Sequence, residues 1–395
     1  MFSEKMLQLG QVRSVIRDMF EYGNKRAAQI GRENVFDFSL GNPSVPAPEE
    51  VNAALINLLQ NENSVSLHGY TSAAGDPNVR GSIADYLNNQ FGTDYSPANI
   101  YLTVGAAAAL TISIKALVEE NDEIIVFAPF FPEYRVFIET TGAKCVIVKC
   151  DEKDFQIDFD ALNSAITKNT KAVIINSPCN PSGVVFSEDT IIKLSETLKN
   201  ASKRIGREIF VIADEPYREL VYDDIKVPFI PNIYKNTIVC YSWSKSLSLP
   251  GERIGYFLVP DACDDAKEVY LAISGAARIN GHVCAPTLAQ MVIERCVSEM
   301  PDLQAYDDNR TLLYESLTAM GYRCAKPDGA FYLFVEVPGG DDFGFCEKAK
   351  NEHNLLVVPG TGFDCPGFMR LSYCVSNAMI KRSLPAFEKM IADLK

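Results

Sequence analysis

The sequence predicts an α/β protein: a mostly parallel, seven-stranded sheet flanked by helices, with a smaller α+β domain beside it. Three observations predict this. Seven short apolar, β-branched runs alternate with helical patterns between about residues 99 and 260. Most of these runs are continuous rather than alternating, as in strands covered on both faces. After about residue 286 the pattern changes to long helical stretches and shorter strands. At 395 residues the chain is long enough for two domains around a substantial core. The expected division is 46–285 for the larger domain, with 1–45 and 286–395 forming the smaller one.

Taken in order, the expected strands of the large sheet are Asn99–Val104, Glu123–Ala128, Lys144–Lys149, Lys171–Asn176, Glu208–Asp214, Thr237–Ser242 and Gly255–Val259. Several intervening lengths suit crossover helices, which makes the sheet largely parallel. The last pair is joined too tightly for a full crossover, so one strand is expected to run antiparallel. In the second domain a long helical stretch, Thr287–Met320, precedes strands within Tyr322–Val337, Leu355–Pro359 and Met369–Val375, then a terminal helix. The first 45 residues carry helix and loop signals and are expected to pack on that domain. Gly41-Asn-Pro-Ser-Val-Pro-Ala-Pro48 reads as a stiff irregular crossing between domains.

Composition excludes several functions. The net charge of -14 disfavours nucleic acid, whose binding depends on neutralising phosphates. It also disfavours anionic membranes. The N-terminus lacks an apolar segment of secretory or spanning length, so a cytoplasmic protein is expected. Eleven cysteines without a CxxC pair read as reduced core thiols. The three histidines are far apart in sequence, so no metal site is expected.

The chemistry-bearing residues fall at the ends of the expected strands, where open α/β sheets bind ligands. The richest stretch is Tyr241-Ser-Trp-Ser-Lys245-Ser-Leu-Ser-Leu-Pro-Gly-Glu-Arg253-Ile-Gly-Tyr256. Lys245 can form an imine with an aldehyde once it is deprotonated, which burial near other cations favours. Ser242, Ser244 and Arg253 can hold a phosphate. An aldehyde bearing a phosphate meets both demands, and pyridoxal 5'-phosphate is such a molecule. Gly105 allows a tight turn into an alanine-rich helix whose first amides, at Ala106 and Ala107, suit an anion. Asp214 ends an apolar strand and needs a cationic partner there. A protonated pyridine nitrogen is one candidate; a helix cap is another use of the same residue. Tyr217 and Asn180 can donate to a ring oxygen. Phe131 can stack on the ring or simply fill core. Arg370 sits inside a strand pattern and needs an anion, either a substrate carboxylate or an internal acid.

With these residues in hand, the chain resembles the class I/II aminotransferases, fold-type I pyridoxal-phosphate enzymes, from at least Gly41 to Arg370. The pattern Ser-x-Ser-Lys-x-x-x-x-x-Gly-x-Arg-x-Gly carries the resemblance, together with its order after Asn-Pro-x-Gly and Asp-x-x-Tyr. The resemblance implies a seven-stranded mixed sheet with one antiparallel strand. It implies Lys245 as Schiff-base lysine and proton shuttle, Asp214 as partner of the pyridine nitrogen, and Asn180 and Tyr217 as ligands of the ring oxygen. Ala106, Ala107, Ser242, Ser244 and Arg253 resemble phosphate contacts, and Phe131 the stacking ring. Arg370, with the Gly41 backbone beside it, is similar to the clamp on the substrate α-carboxylate. A homodimer is implied, with Tyr70 reaching the neighbouring cofactor phosphate. Two departures stand out. Ser177 precedes the proline in Asn176-Ser-Pro-Cys-Asn180-Pro-Ser-Gly183, although Asn180-Pro181 is retained. Ala106-Ala107 stands where some aspartate-preferring members carry a lysine. Arg278, and more weakly Arg17, are candidates for a distal substrate carboxylate, although the sequence favours Arg278 as a surface arginine.

The implied activity is ping-pong transfer of an amino group between an amino acid and a 2-oxo acid, with an aspartate type among the donors left open. Two alternatives share these residues: a C–S β-lyase acting on cysteine conjugates, and a ligand-sensing module of a transcription regulator. The second usually carries a basic DNA-binding extension, which is not expected here.

Overall fold

The computed structural model describes residues 2–11 and 15–393. Its strands in chain order are β1 (Phe36–Asp37), β2 (Ile100–Thr103), β3 (Glu123–Ala128), β4 (Lys144–Lys149), β5 (Thr170–Asn176), β6 (Phe210–Asp214), β7 (Thr237–Ser242), β8 (Gly255–Leu258), β9 (Arg323–Cys324), β10 (Tyr332–Glu336), β11 (Leu355–Leu356), β12 (Val358–Pro359) and β13 (Phe368–Ser372). The seven expected strands form one sheet in the order β2-β8-β7-β6-β5-β3-β4. β8 alone runs antiparallel, between β2 and β7; the other pairs are parallel.

Side-chain alternation divides the core. Ile125, Val173, Val211, Val239 and Tyr241 pack on one face of the sheet. Ile124, Ala172, Ile212, Ile238 and Cys240 pack on the other, against Ala109, Leu110 and Ile112 of the helix Ala106–Leu117. Both faces are dry, which is why these strands read as unbroken apolar runs. The register aligns the strand ends: Asn176 is paired with Asp214, and Asp214 with Cys240. Because β8 is reversed, its first residue, Gly255, is paired with Ser242 and Thr103 at that same edge. Arg253, two residues earlier, therefore reaches the edge at which β5, β6 and β7 end.

A second sheet, β12-β13-β10-β9, is antiparallel and lies over a separate apolar cluster. β1 pairs in parallel with β11. Met19, on the helix Val15–Ile30, packs with Val35 and Leu356. β1 and Met19 thus touch this second unit, while Lys5 donates to the Glu139 carbonyl and Val15 and Ile16 pack on the large-sheet core. The helical stretch Thr287–Met320 is not continuous: it forms helices Thr287–Cys296 and Leu303–Met320. Pro301 lacks the amide a continuing helix would need, and the Asp302 side chain caps the second helix by accepting from the Ala305 amide. The expected strand region Tyr322–Val337 likewise splits into β9 and β10. Lys326-Pro-Asp-Gly329 lies between them, a turn-forming composition. All eleven cysteines are unpaired. Among the described residues no helix is long and apolar enough to cross a membrane.

Candidate active site

At the carboxyl edge of the large sheet, facing the second sheet, lies a cleft of about 280 Å³. Gly41, Ala106, Ala107, Phe131, Asn180 and Asp214 line it. So do Tyr217, Ser242, Ser244, Lys245, Arg253 and Arg370. Of the candidates expected from sequence, Tyr70, Arg278 and Arg17 do not line it. Tyr70 is 98% exposed on this chain, and Arg278 lies exposed on the helix Ala266–Asn280. Arg17 is also exposed, although its neighbour Ile16 lines the cleft.

Lys245 sits on the one-turn helix Trp243–Ser246 directly after β7. Its Nζ donates to the Gly41 carbonyl at 2.6 Å and lies 5.4 Å from the Phe331 ring centre. Burial lowers its pKa to about 8, and the nearby Arg370 and Arg253 push the same way against an opposing contribution from Cys374. A substantial neutral fraction therefore exists near physiological pH, as a nucleophilic amine requires. Gly41 is required where it stands: a Cβ there would come within 2.0 Å of the Tyr332 hydroxyl.

Asp214 ends β6 and is buried. Tyr134 Oη donates to its Oδ2, and Asn176 Nδ2 donates to its backbone carbonyl at 2.9 Å. Its Oδ1 is buried with no hydrogen-bond partner. Burial raises the carboxyl pKa to about 7, opposed by the Tyr134 hydrogen bond and assisted by Glu215. A buried carboxylate oxygen without a donor is costly. A protonated pyridine nitrogen supplies that donor and a compensating charge.

The anion-binding end is built from backbone as much as side chains. Gly105, at φ +90°, turns the chain from β2 into the helix Ala106–Leu117, whose first amides have no intrahelical acceptor. A Cβ on Gly105 would lie 2.7 Å from Arg253 Nη2. Arg253 is itself held by the Pro250 carbonyl at 2.9 Å and the Val104 carbonyl at 3.4 Å. Helix amides, a guanidinium and the Ser242 and Ser244 hydroxyls thus meet at one end of the cleft. Donor set, unpaired carboxylate and softened lysine all fit pyridoxal 5'-phosphate.

Arg370 lies in the middle of β13, between Phe334 of β10 and Val358 of β12. It is 1% exposed. Nη1 donates to Asn180 Oδ1 at 3.0 Å and Nη2 to the Ser39 carbonyl, while Nε has no partner. Among the described residues no carboxylate forms a salt bridge with it. The guanidinium therefore lines the cleft without an internal acid beside it among the described residues.

Three contributors were not foreseen from sequence. Tyr134 orients Asp214. Asn176 ties β5 to β6 and accepts the Asn180 amide at 2.8 Å. Tyr332 shares a 2.9 Å hydrogen bond with Tyr217 and lies under the Arg370 guanidinium at 4.7 Å. Neither Tyr134 nor Tyr332 belongs to a spacing that marks it.

A family model for aminotransferase class I and II matches residues 33–387. The chain belongs to the class I and II aminotransferases. Members of this family are pyridoxal-phosphate enzymes that act on amino acids and 2-oxo acids. The aminotransferase is 32% identical over 366 residues to an aspartate aminotransferase of Thermotoga maritima, covering 91% of this chain and 92% of that one. Among solved structures it is similar to an aminotransferase of Eubacterium rectale, with 57% identity, TM-score 0.97, and coverage of 100% of this chain and 99% of that one. It is similar also to the Thermotoga maritima aspartate aminotransferase structure, with 29% identity, TM-score 0.87, and coverage of 99% and 100%.

Proposed function

We propose that this aminotransferase holds pyridoxal 5'-phosphate in the cleft, covalently through Lys245, and uses it for ping-pong transfer with an aspartate-type donor. One observation carries the reading: a lysine whose pKa falls to about 8 lines the same cleft as a buried carboxylate oxygen without a donor. Bound there, the cofactor supplies an aldehyde for amine exchange and a protonated ring that draws electrons from the breaking bond at the substrate α-carbon.

The chain's own residues do the rest. Asp214, fixed by Tyr134, keeps the ring nitrogen protonated. Ala106, Ala107, Ser242, Ser244 and Arg253 hold the phosphate, and Phe131 covers the ring. Tyr217 and Asn180 donate to the ring oxygen. Arg370, held by Asn180 and Ser39, receives the substrate α-carboxylate beside Gly41. Lys245, once free, would take the proton from the substrate α-carbon as general base and, as general acid, deliver it to the cofactor carbon that carried the aldehyde. Addition of water would then release the 2-oxo acid and leave the amino group on the cofactor, and a second oxo acid would collect it by the reverse of these steps.

Homodimer formation belongs to this proposal, with Tyr70 and Arg278 serving across the interface, as does a cytoplasmic location. The aspartate preference rests on the names of the relatives. Within this chain the cleft offers no lysine at Ala106-Ala107, so a distal carboxylate would be met by Arg278. The relatives reported above are aminotransferases, and nothing in the cleft favours the β-lyase. A panel of amino donors with 2-oxoglutarate tests the proposal, with Lys245→Ala as control. Glutamate formation that requires Lys245 and is fastest with aspartate supports it. Release of pyruvate, ammonia and thiol from a cysteine conjugate without an oxo acid would overturn it.

A further inference from the structure

Behind the cleft, on the opposite face of the large sheet, lies a second buried polar cluster that takes no direct part in the chemistry above. Arg218 is its centre. Nη1 donates to Glu215 at 2.8 Å, Nε to Glu219 at 3.2 Å and Nη2 to the Tyr256 hydroxyl at 3.2 Å. Its guanidinium carbon lies 4.4 Å from the Tyr241 ring centre. The Tyr241 hydroxyl is 3.0 Å from Glu219 Oε2 and 2.8 Å from Ser246 Oγ. Tyr241 has one hydrogen to give, and a carboxylate accepts but cannot donate. The chain of bonds therefore has one direction when Glu219 is ionised: Ser246 donates to Tyr241, Tyr241 to Glu219, and Arg218 anchors Glu219 from the other side.

The two ends of this chain matter. Glu215, Arg218 and Glu219 belong to the loop that begins at Asp214. Ser246 follows Lys245. We infer that Tyr241, held by Glu219 and Arg218, is a positioning residue that fixes the Lys245 turn relative to the strand end carrying Asp214. The Lys245 turn needs such a brace. A four-residue helix does not stabilise itself, and its N-cap, Ser242, makes no side-chain capping bond. Trp243 packs on Tyr241 and Tyr256, with ring centres 5.2 Å and 5.5 Å away. Those contacts set the depth of the turn. The directional Ser246–Tyr241 bond sets its rotation, and with it the aim of the Lys245 stem.

This inference rests on the cofactor reading above, and its test separates the two. Pyridoxamine 5'-phosphate offers the same ring and phosphate but no aldehyde, so its binding reports the pocket alone. Capture of pyridoxal 5'-phosphate, followed by absorbance and by borohydride trapping, reports the aim of Lys245. Tyr241→Phe keeps the ring contacts and removes the hydroxyl. The expected result is pyridoxamine 5'-phosphate affinity within about twofold of wild type and a capture rate about five- to tenfold lower, the effect of one directional hydrogen bond. Ser246→Ala removes the other half of the same bond. It should reproduce the loss, and the double variant should add little to it. The inference is overturned if both single variants capture at the wild-type rate. It is equally overturned if affinity and capture fall together, since the cluster would then only hold the pocket's shape. Should Tyr241→Phe fail to fold, Ser246→Ala alone decides by the same outcomes. A wild-type chain that binds neither compound would instead overturn the cofactor reading and this inference with it.

Discussion

Asp214 and Glu215 are neighbours in sequence, both are buried acids, and they are treated in opposite ways. Asp214 faces the cleft, keeps one oxygen without a donor, and meets no cation among the described residues. Glu215 faces the other side of the sheet, where Arg218 pairs with it among tyrosines. Burial pushes both carboxyls up to about 7, but Arg218 works against the shift at Glu215, whereas only a tyrosine hydrogen bond does so at Asp214. The contrast separates a polar group kept for holding the structure from one kept for a ligand. The first is satisfied by the fold; the second is left for something the fold does not contain. Arg370, with its unpaired Nε, belongs with Asp214, and Arg310, paired with Asp223 and Asp307, belongs with Glu215.

The largest expected effect breaks the two sides apart. Asp214→Ala should lower turnover about 10²- to 10³-fold, as expected for losing one partner of a buried charge pair. The cofactor-free chain should lose less, about 1–3 kcal/mol for the stranded Tyr134 hydroxyl, because no buried cation is left behind. Arg218→Met should do the reverse. It strands Glu215 and Glu219, and should cost about 3–5 kcal/mol in urea unfolding, with a smaller loss of turnover in whatever protein remains folded. If Asp214→Ala unfolds the chain while Arg218→Met leaves stability untouched, the distinction is wrong. Next, Arg370→Lys keeps the charge but loses the planar fork. KM for the amino donor should rise about 30-fold or more, corresponding to at least ~2 kcal/mol, with affinity for pyridoxamine 5'-phosphate unchanged.

How much of this was legible in the sequence follows from the same physics. Strand ends were readable to within about two residues because both faces of the sheet are dry, so apolar runs start and stop with the strands. The edge at which Asn180, Asp214, Lys245 and Arg253 meet was readable because an α/β sheet gathers its strand ends. Tyr134 and Tyr332 were not. Each matters through a hydroxyl aimed at a residue 80 or 115 positions away, and nothing local marks a tyrosine as aimed. The break near Pro301 is masked by helical periodicity on either side of it. Tyr70, assigned to the site by family resemblance, and Arg278, a candidate for a distal carboxylate, lie outside the cleft of a single chain.

Smaller effects sharpen the contrast. Tyr134→Phe removes one hydrogen bond from Asp214 and should weaken cofactor retention by about fivefold, or ~1 kcal/mol. Its Asp214 carboxyl should titrate higher still. In the cofactor-free chain the raised Asp214 pKa means the native state holds a proton that the unfolded chain has released. Stability from this group is therefore present at low pH and is lost as pH rises from the ordinary carboxylate range through about 7. Comparing urea midpoints of the wild type and Asp214→Asn across that range should show the slope in the wild type only in excess of the variant. Saturating pyridoxamine 5'-phosphate should flatten it.

The central claim is that one lysine amine, facing a carboxylate that lacks a donor, holds an aldehyde cofactor. Its most direct test is borohydride reduction of the chain incubated with pyridoxal 5'-phosphate, followed by peptide mapping. A single reduced adduct on Lys245, absent in Lys245→Ala, is the predicted result. An adduct spread over surface lysines, or one that persists at full yield in Lys245→Ala, would contradict it.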